Sequence, residues 1–244
     1  MKNAHRLRTI LHRLRYTPLH PQWFAYRYER QRYEEVGRLA GGRVLDIGCG
    51  RQPLRAYLHS ACNYFSLDYP ETGEALYDAR PDVFGDAHAL PFVDGVFDTV
   101  VLLEVLEHLS EPETAIHEAR RVLARGGRLI ISTPFLYPSH DEPGDFQRWT
   151  RHGLERLVQS SGFVVQQLSS MGSPVECGVL LLSLSLAWQT LHAAAAARLP
   201  LMLLSVVAIP MLNLLGASVS LLCRICGDTP FATGYLLVAE EPIS

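Results

Sequence analysis

The chain has 244 residues, 22 Lys and Arg against 25 Asp and Glu, and a net charge of −3, enough for one sizeable α/β domain with an addition and too near neutral for a protein that coats nucleic acid. Five scattered cysteines give no disulfide framework and point to a reducing compartment, and no apolar run follows the first charges as a secretory signal would require. Charge is unevenly placed: residues 1–40 hold nine Lys or Arg against three Glu, and the remainder holds thirteen basic against twenty-two acidic residues.

Taken in chain order, residues 5–15 set Leu7, Ile10, Leu11 and Leu14 at helical spacing among four arginines, an arm suited to an anionic bilayer, to nucleic acid, or simply to water. Gln22 to Ala40 reads as an amphipathic helix with an aromatic surface from Trp23, Phe24 and Tyr26. Val44, Leu45 and Ile47 then form a buried strand that breaks into Asp46-x-Gly48-x-Gly50, where the glycines free the chain to turn and let a ligand touch backbone. A helix is expected over Arg51 to His59, its start confined by Pro53.

The next strand, Tyr64 to Leu67, ends in Asp68, roughly twenty residues past the glycines, where a carboxylate can accept from both hydroxyls of a ribose. Asp86 follows, and Phe97 to Leu103 is a further buried strand. A helix stopped by Arg125-Gly126-Gly127 leads into a strand at Arg128 to Ser132, so strand and helix alternate as in a doubly wound parallel sheet. A polar loop from Ser132 to Thr150 leaves that strand's carboxyl end, where substrate-facing residues belong.

Thr150 caps a helix to Ser160, and Phe163 to Ser170 and Thr233 to Glu240 are the last strands. Between them, Cys177 to Cys223 carries a single formal charge, Arg198, in two arms each about as long as a membrane-spanning helix. Ser183, Ser185, Gln189 and His192 give the first arm a polar side, and Pro200, Pro210 and Asn213 interrupt the second, so a shallow hairpin competes with two spans, and a soluble lid or an interface with both. Cys223-Arg224-Ile225-Cys226 has the spacing of half a zinc site, without a second pair.

With Asp-Ile-Gly-Cys-Gly, Leu-Pro-Phe, Leu-Glu-His-Leu and Arg-Val-Leu-x-x-Gly-Gly in this order, the chain resembles class I S-adenosylmethionine-dependent methyltransferases of the type 11 group, over roughly residues 42–170 with 233–240 as the closing strand. The resemblance implies a Rossmann-like, mostly parallel seven-stranded sheet with the apolar insert between the last two strands. It implies that Asp46, Gly48 and Gly50 hold the methionine part of the cofactor, Asp68 its ribose, and Asp86 with Ala87 its adenine, Cys49 and Leu103 lining the same site. Gln52 stands where the family often has a third glycine. The implied organisation is a basic arm and cover helix over 1–41, the cofactor-binding core over 42–170, the insert over 171–232, and the closing strand over 233–244.

A sulfonium methyl is already a strong electrophile, so such an enzyme aligns the acceptor, excludes water and removes a proton. His140 is the leading base, with Asp141 or Asp145 to orient it and Arg148 to hold an anionic group or pair with Asp145. Alternatively, Glu104, Glu107 and His108 share a helical face and converge with His140 on a divalent cation, a pattern similar to metal-dependent small-RNA 2'-O-methyltransferases and some quinone-ring O-methyltransferases. The expected activity is methyl transfer to a small apolar or lipid-linked acceptor, with a membrane surface as partner on the cytoplasmic side and no nucleic acid. Rival readings are a catalytically silent membrane adaptor and a nicotinamide-dependent oxidoreductase, the latter disfavoured because the turn lacks G-x-G-x-x-G.

Overall fold

A computed structural model describes residues 14–73, 79–223 and 229–242. The elements are α1 (Trp23–Leu39), β1 (Arg43–Ile47), β2 (Asn63–Asp68), β3 (Val83–Phe84), β4 (Phe97–Leu103), α2 (Pro112–Val122), β5 (Leu123–Pro134), α3 (Arg151–Ser160), β6 (Val164–Met171), α4 (Pro174–His192), α5 (Ala195–Leu222) and β7 (Gly234–Glu240). The seven strands form one sheet in the order β3-β2-β1-β4-β5-β7-β6. Pairings from β3 through β5 are parallel, and β7 runs antiparallel to β5, with Ile130 opposite Val238. The sheet is thus mixed, and the parallel part dominates.

Its central strands are near-continuous apolar runs because both faces are covered. Val44, Val101, Ile130 and Val238 share one face and pack with Val36 and Ala40 at the end of α1. The opposite pleat carries Leu45, Val100, Leu129, Ile131 and Leu237, all fully buried. Each such side chain contributes about 1.5–3 kcal/mol by leaving water, so the sheet's middle is the stable platform on which the strand ends are held.

Two compact units share the chain: one comprises Met1–Gln31, Leu136–Pro138 and Met171–Thr233, the other Arg32–Phe135, Ser139–Ser170 and Gly234–Ser244. The second contains the sheet. In the first, α4 and α5 are antiparallel: Thr190 Oγ1 lies 2.7 Å from Ser205 Oγ, and a Cβ on Gly216 would lie 3.0 Å from Val179. Ser173 opens α4 with a capping box, accepting from Glu176 N at 3.3 Å while Glu176 Oε2 accepts from Ser173 N at 3.0 Å. Glu176 also accepts from Tyr28 Oη and pairs with Arg27 at 3.5 Å.

Local departures from the sequence reading have physical causes. The expected helix from Arg51 to His59 shrinks to one 3-10 turn, Pro53–Ala56, because Gln52 is left-handed (φ 58°) immediately before the proline. Helix α2 ends at Val122, ahead of the expected stop at Gly126, since Leu123 already pairs with Phe97 in the sheet. The basic arm over residues 5–13 and Arg224 to Cys226 of the cysteine pair lie outside the described residues. Thr150 does cap α3, accepting from Gly153 N at 3.2 Å, and Gly162 (φ 87°) follows its end.

Candidate active site

The turn after β1 is tied to β2: Gly48 N and Cys49 N both donate to the Leu67 carbonyl, at 2.9 and 3.1 Å. Gly48 is left-handed (φ 72°), and a Cβ there would lie 2.4 Å from Val105 Cγ2, so glycine is required. Gly50 is also left-handed (φ 51°), but a Cβ would meet nothing within 4 Å, leaving the backbone open to a ligand.

Asp68 closes β2 and is 5% exposed. Its Oδ2 accepts from Gly50 N at 2.7 Å and its Oδ1 from Tyr69 N at 2.8 Å, which leaves lone pairs for a diol. Burial raises its pKa, and the two N–H bonds oppose that rise. Asp46, on β1, is buried and accepts from Tyr64 Oη at 2.6 Å. Burial lifts its carboxyl to about 7 against the pull of the Tyr64 bond, and the charge of Asp68 adds to the rise. A carboxylate so placed favours a cationic partner, as the ammonium of the methionine part would be.

Tyr64 was not among the expected site residues, although the two-residue period of β2 puts Tyr64, Ser66 and Asp68 on one face. Cys49 is buried, and desolvation first, then Asp46 and Asp68, push its thiol up to about 12, so it fills space and is no nucleophile. Asp86 accepts from His88 N at 2.9 Å and lies 2.7 Å from His88 Nδ1; Ala87 beside it is buried. Leu103, at the end of β4, is partly buried against the α1-side core.

A second cluster sits where β4 and β5 end. Glu104 is left-handed (φ 57°), and its Oε1 accepts from Arg32 Nη1 at 2.7 Å and Ser132 Oγ at 2.8 Å. A 3-10 turn, Leu106–His108, then carries Glu107 inward. Glu107 is fully buried, and neither carboxylate oxygen has a hydrogen-bond partner among the described residues. Burial first and the charge of Glu104 second hold its pKa well above the usual range, against Arg148 and Arg32.

His108 Nδ1 lies 2.8 Å from the Gly144 carbonyl, which only accepts, so Nδ1 carries a proton and the neutral ring has its lone pair on Nε2, 3.8 Å from Glu107 Oε1. The His108 and His140 rings meet edge-on at 5.1 Å. One ligand atom each from Glu107, His108 and His140 falls within 4.8 Å of the others. An unpartnered buried carboxylate beside two imidazoles fits a divalent cation, with the Gly144 carbonyl orienting one ring from behind. Glu104 stands apart from this trio, its carboxylate taken by Arg32 and Ser132.

His140 is held from its other side. Its backbone N–H donates to Asp145 Oδ2 at 2.9 Å, and its ring Nδ1 lies 3.5 Å from the same oxygen and 3.4 Å from Arg148 Nη2. Arg148 grips Asp145 with both terminal nitrogens, and that bond holds the Asp145 carboxyl down at about 2. Of the two acids expected to orient His140, Asp145 lies beside its ring; Asp141 is left-handed (φ 52°), and its carbonyl accepts from Gly144 N at 3.2 Å. The Arg32–Glu104–Ser132 linkage escaped the sequence reading, since nothing in the spacing of α1 singles out Arg32.

Residues 45–131 match the family described as methyltransferase domain. The O-methyltransferase rstn1 of Aspergillus nomiae is 30% identical over 167 residues, 59% of this chain and 74% of that protein. The chain belongs to the S-adenosylmethionine-dependent methyltransferases. The cofactor of this methyltransferase is therefore S-adenosylmethionine, and the Asp46, Gly48, Gly50 and Asp68 geometry fits it. A demethylmenaquinone methyltransferase of Renibacterium salmoninarum is 33% identical over 121 residues, 46% of this chain and 49% of that protein, so the match spans about half of that relative. Among solved structures, the YcgJ protein of Bacillus subtilis shares the fold, with a TM-score of 0.54 at 14% identity over 88% of this chain and 100% of that one.

Proposed function

We propose that this methyltransferase acts on a small apolar acceptor of the quinone or lipid-linked class, on the cytoplasmic side of a membrane, and that the acceptor loses a proton as it is methylated. The observation that carries the reading is the insert: α4 and α5 are long and apolar enough to cross a membrane, yet only 22% of the most apolar stretch of each is buried. The likeness to a demethylmenaquinone methyltransferase supports the same acceptor class.

In this reading Asp46, Gly48 and Gly50 hold the methionine part and Asp68 the ribose, with Asp86 and Ala87 toward the adenine and Leu103 lining the site. His140, oriented by Asp145, takes the acceptor's proton, and Arg148 keeps Asp145 ionised. To test this, the protein and its Asp68→Ala variant are incubated with methyl-labelled S-adenosylmethionine and membrane extract. Label entering the organic phase with the parent alone is the expected result; label confined to water-soluble products overturns the acceptor class.

A second reading is favoured by one observation, the unpartnered carboxylate of Glu107. We propose that Glu107, His108 and His140 hold a divalent cation. Bound there, the ion would polarise an acceptor oxygen and lower its pKa. Glu107 supplies the charge, and His108 offers Nε2 because Gly144 fixes its tautomer. Manganese or zinc is expected to raise the thermal midpoint of the parent and leave that of Glu107→Gln unmoved. Equal shifts in both proteins overturn this reading.

A further inference from the structure

The insert is built inside out. From Leu199 to Leu215 of α5, every exposed residue is apolar, and the polar side chains in that stretch, Ser205 and Asn213, are buried. In water the pattern runs the other way. Across the seam between α4 and α5, Gly216 packs against Val179 and Thr190 is bonded to Ser205, while Leu180, Ser183 and Ile209 are also buried on the two helices. That is how helices pack when the surrounding solvent is itself apolar, because small residues let backbones approach and hydroxyls pair across the seam.

The outer sides of the two helices differ. On α4, Ser185, Gln189 and His192 are exposed at i, i+4 and i+7, a polar stripe with Leu182 at its N-terminal end and Trp188 and Leu191 beside it. On α5 the outer side carries Leu203, Val206, Val207, Met211 and Leu214, each more than half exposed. Crossing a bilayer would carry the polar stripe of α4 through the acyl chains. Lying along the surface keeps it at the headgroups and immerses only α5.

The ends of the strip fit that posture. Asn213 Nδ2 donates to the carbonyls of Pro18 and His20, at 2.7 and 3.0 Å, which fastens the N-terminal turn to α5. That turn holds Arg15 over the Tyr16 and Tyr26 rings, at 4.7 and 5.1 Å, and Trp23 donates to Tyr16 O. An arginine among Tyr and Trp is the composition of a membrane–water boundary. Arg198 marks the other end, fifteen residues before Asn213 and so about 22 Å away along the helix.

We propose that the α4–α5 hairpin docks along one leaflet of an anionic phospholipid bilayer, α5 among the acyl chains and the polar stripe of α4 at the headgroups. The inference rests on the membrane-side function above and fixes how that membrane is met. Arg15 and Arg198 face headgroup phosphates at the two ends, and neither helix crosses.

The test uses the full chain carrying Cys223→Ser and Cys226→Ser, labelled with an environment-sensitive fluorophore at Val207→Cys or Gln189→Cys, and vesicles of phosphatidylcholine with phosphatidylglycerol brominated along its chains. The expected result is flotation with the vesicles, several-fold quenching at position 207, and none at position 189, which stays open to a water-soluble quencher. Deep quenching at both positions overturns the in-plane posture and leaves the membrane reading standing. Failure to float, with a Val207→Glu-sensitive dimer in solution, overturns both and assigns the face to a second copy of the chain.

Discussion

At the scale of the residue, the site is organised by acids that the fold keeps from water. Asp46 has an ordinary carboxyl value of 3.8 when unfolded and about 7 when folded, mainly through burial. A raised folded value favours the protonated native state, so its stabilising effect is whole below about pH 4 and is lost as pH rises through about 7. Without cofactor, Asp46→Asn is therefore expected to match the parent at pH 4 and to exceed it at pH 8 by about 1–3 kcal/mol, once the unpaired amide N–H is set against the relieved charge. Denaturant midpoints at the two pH values check this; a variant less stable than the parent at pH 8 overturns the account. The same variant should bind S-adenosylmethionine at least tenfold more weakly, since the amide offers no charge to an ammonium group.

At the scale of the element, legibility in the sequence followed how local each determinant is. Asp68 was readable because a parallel strand ending in an acid, at a set distance from a glycine turn, needs only β1 and β2 in register, and they are, with Ile47 beside Leu67. The cap of α3 was readable from Thr150 and Gly162 alone. The helix after the turn was not, because Gln52 goes left-handed ahead of Pro53, with its side-chain amide donating to the Arg80 carbonyl at 2.6 Å, twenty-eight residues away. Glu107 shows the limit most sharply. Its helical spacing to His108 and Glu104 was visible, but Glu104 turns left-handed and leaves for Arg32, and only the folded chain reveals which carboxylate stays unpaired. Low charge exposed the insert in the sequence. The opposition between the outer sides of α4 and α5 emerged only once Ser205 and Asn213 were seen facing inward.

At the scale of the whole molecule, charge and apolar surface would supply separable attractions to the membrane proposed above. Residues 1–40 carry a local excess of six positive charges, and the remainder a deficit of nine, so an anionic leaflet draws in one end of the chain and repels the rest. Each basic residue near such a surface contributes about 1 kcal/mol, and salt removes most of that as the screening length falls from about 10 Å at 0.1 M to about 3 Å at 1 M. The proposed burial of α5 side chains in acyl chains would be indifferent to salt at this level. Flotation with anionic vesicles should therefore weaken by at least tenfold across that range and settle at a residual value, and Val207→Glu should abolish the residual part alone. Binding that salt removes completely would mean that the basic segment acts by itself and that α5 stays out of the acyl chains.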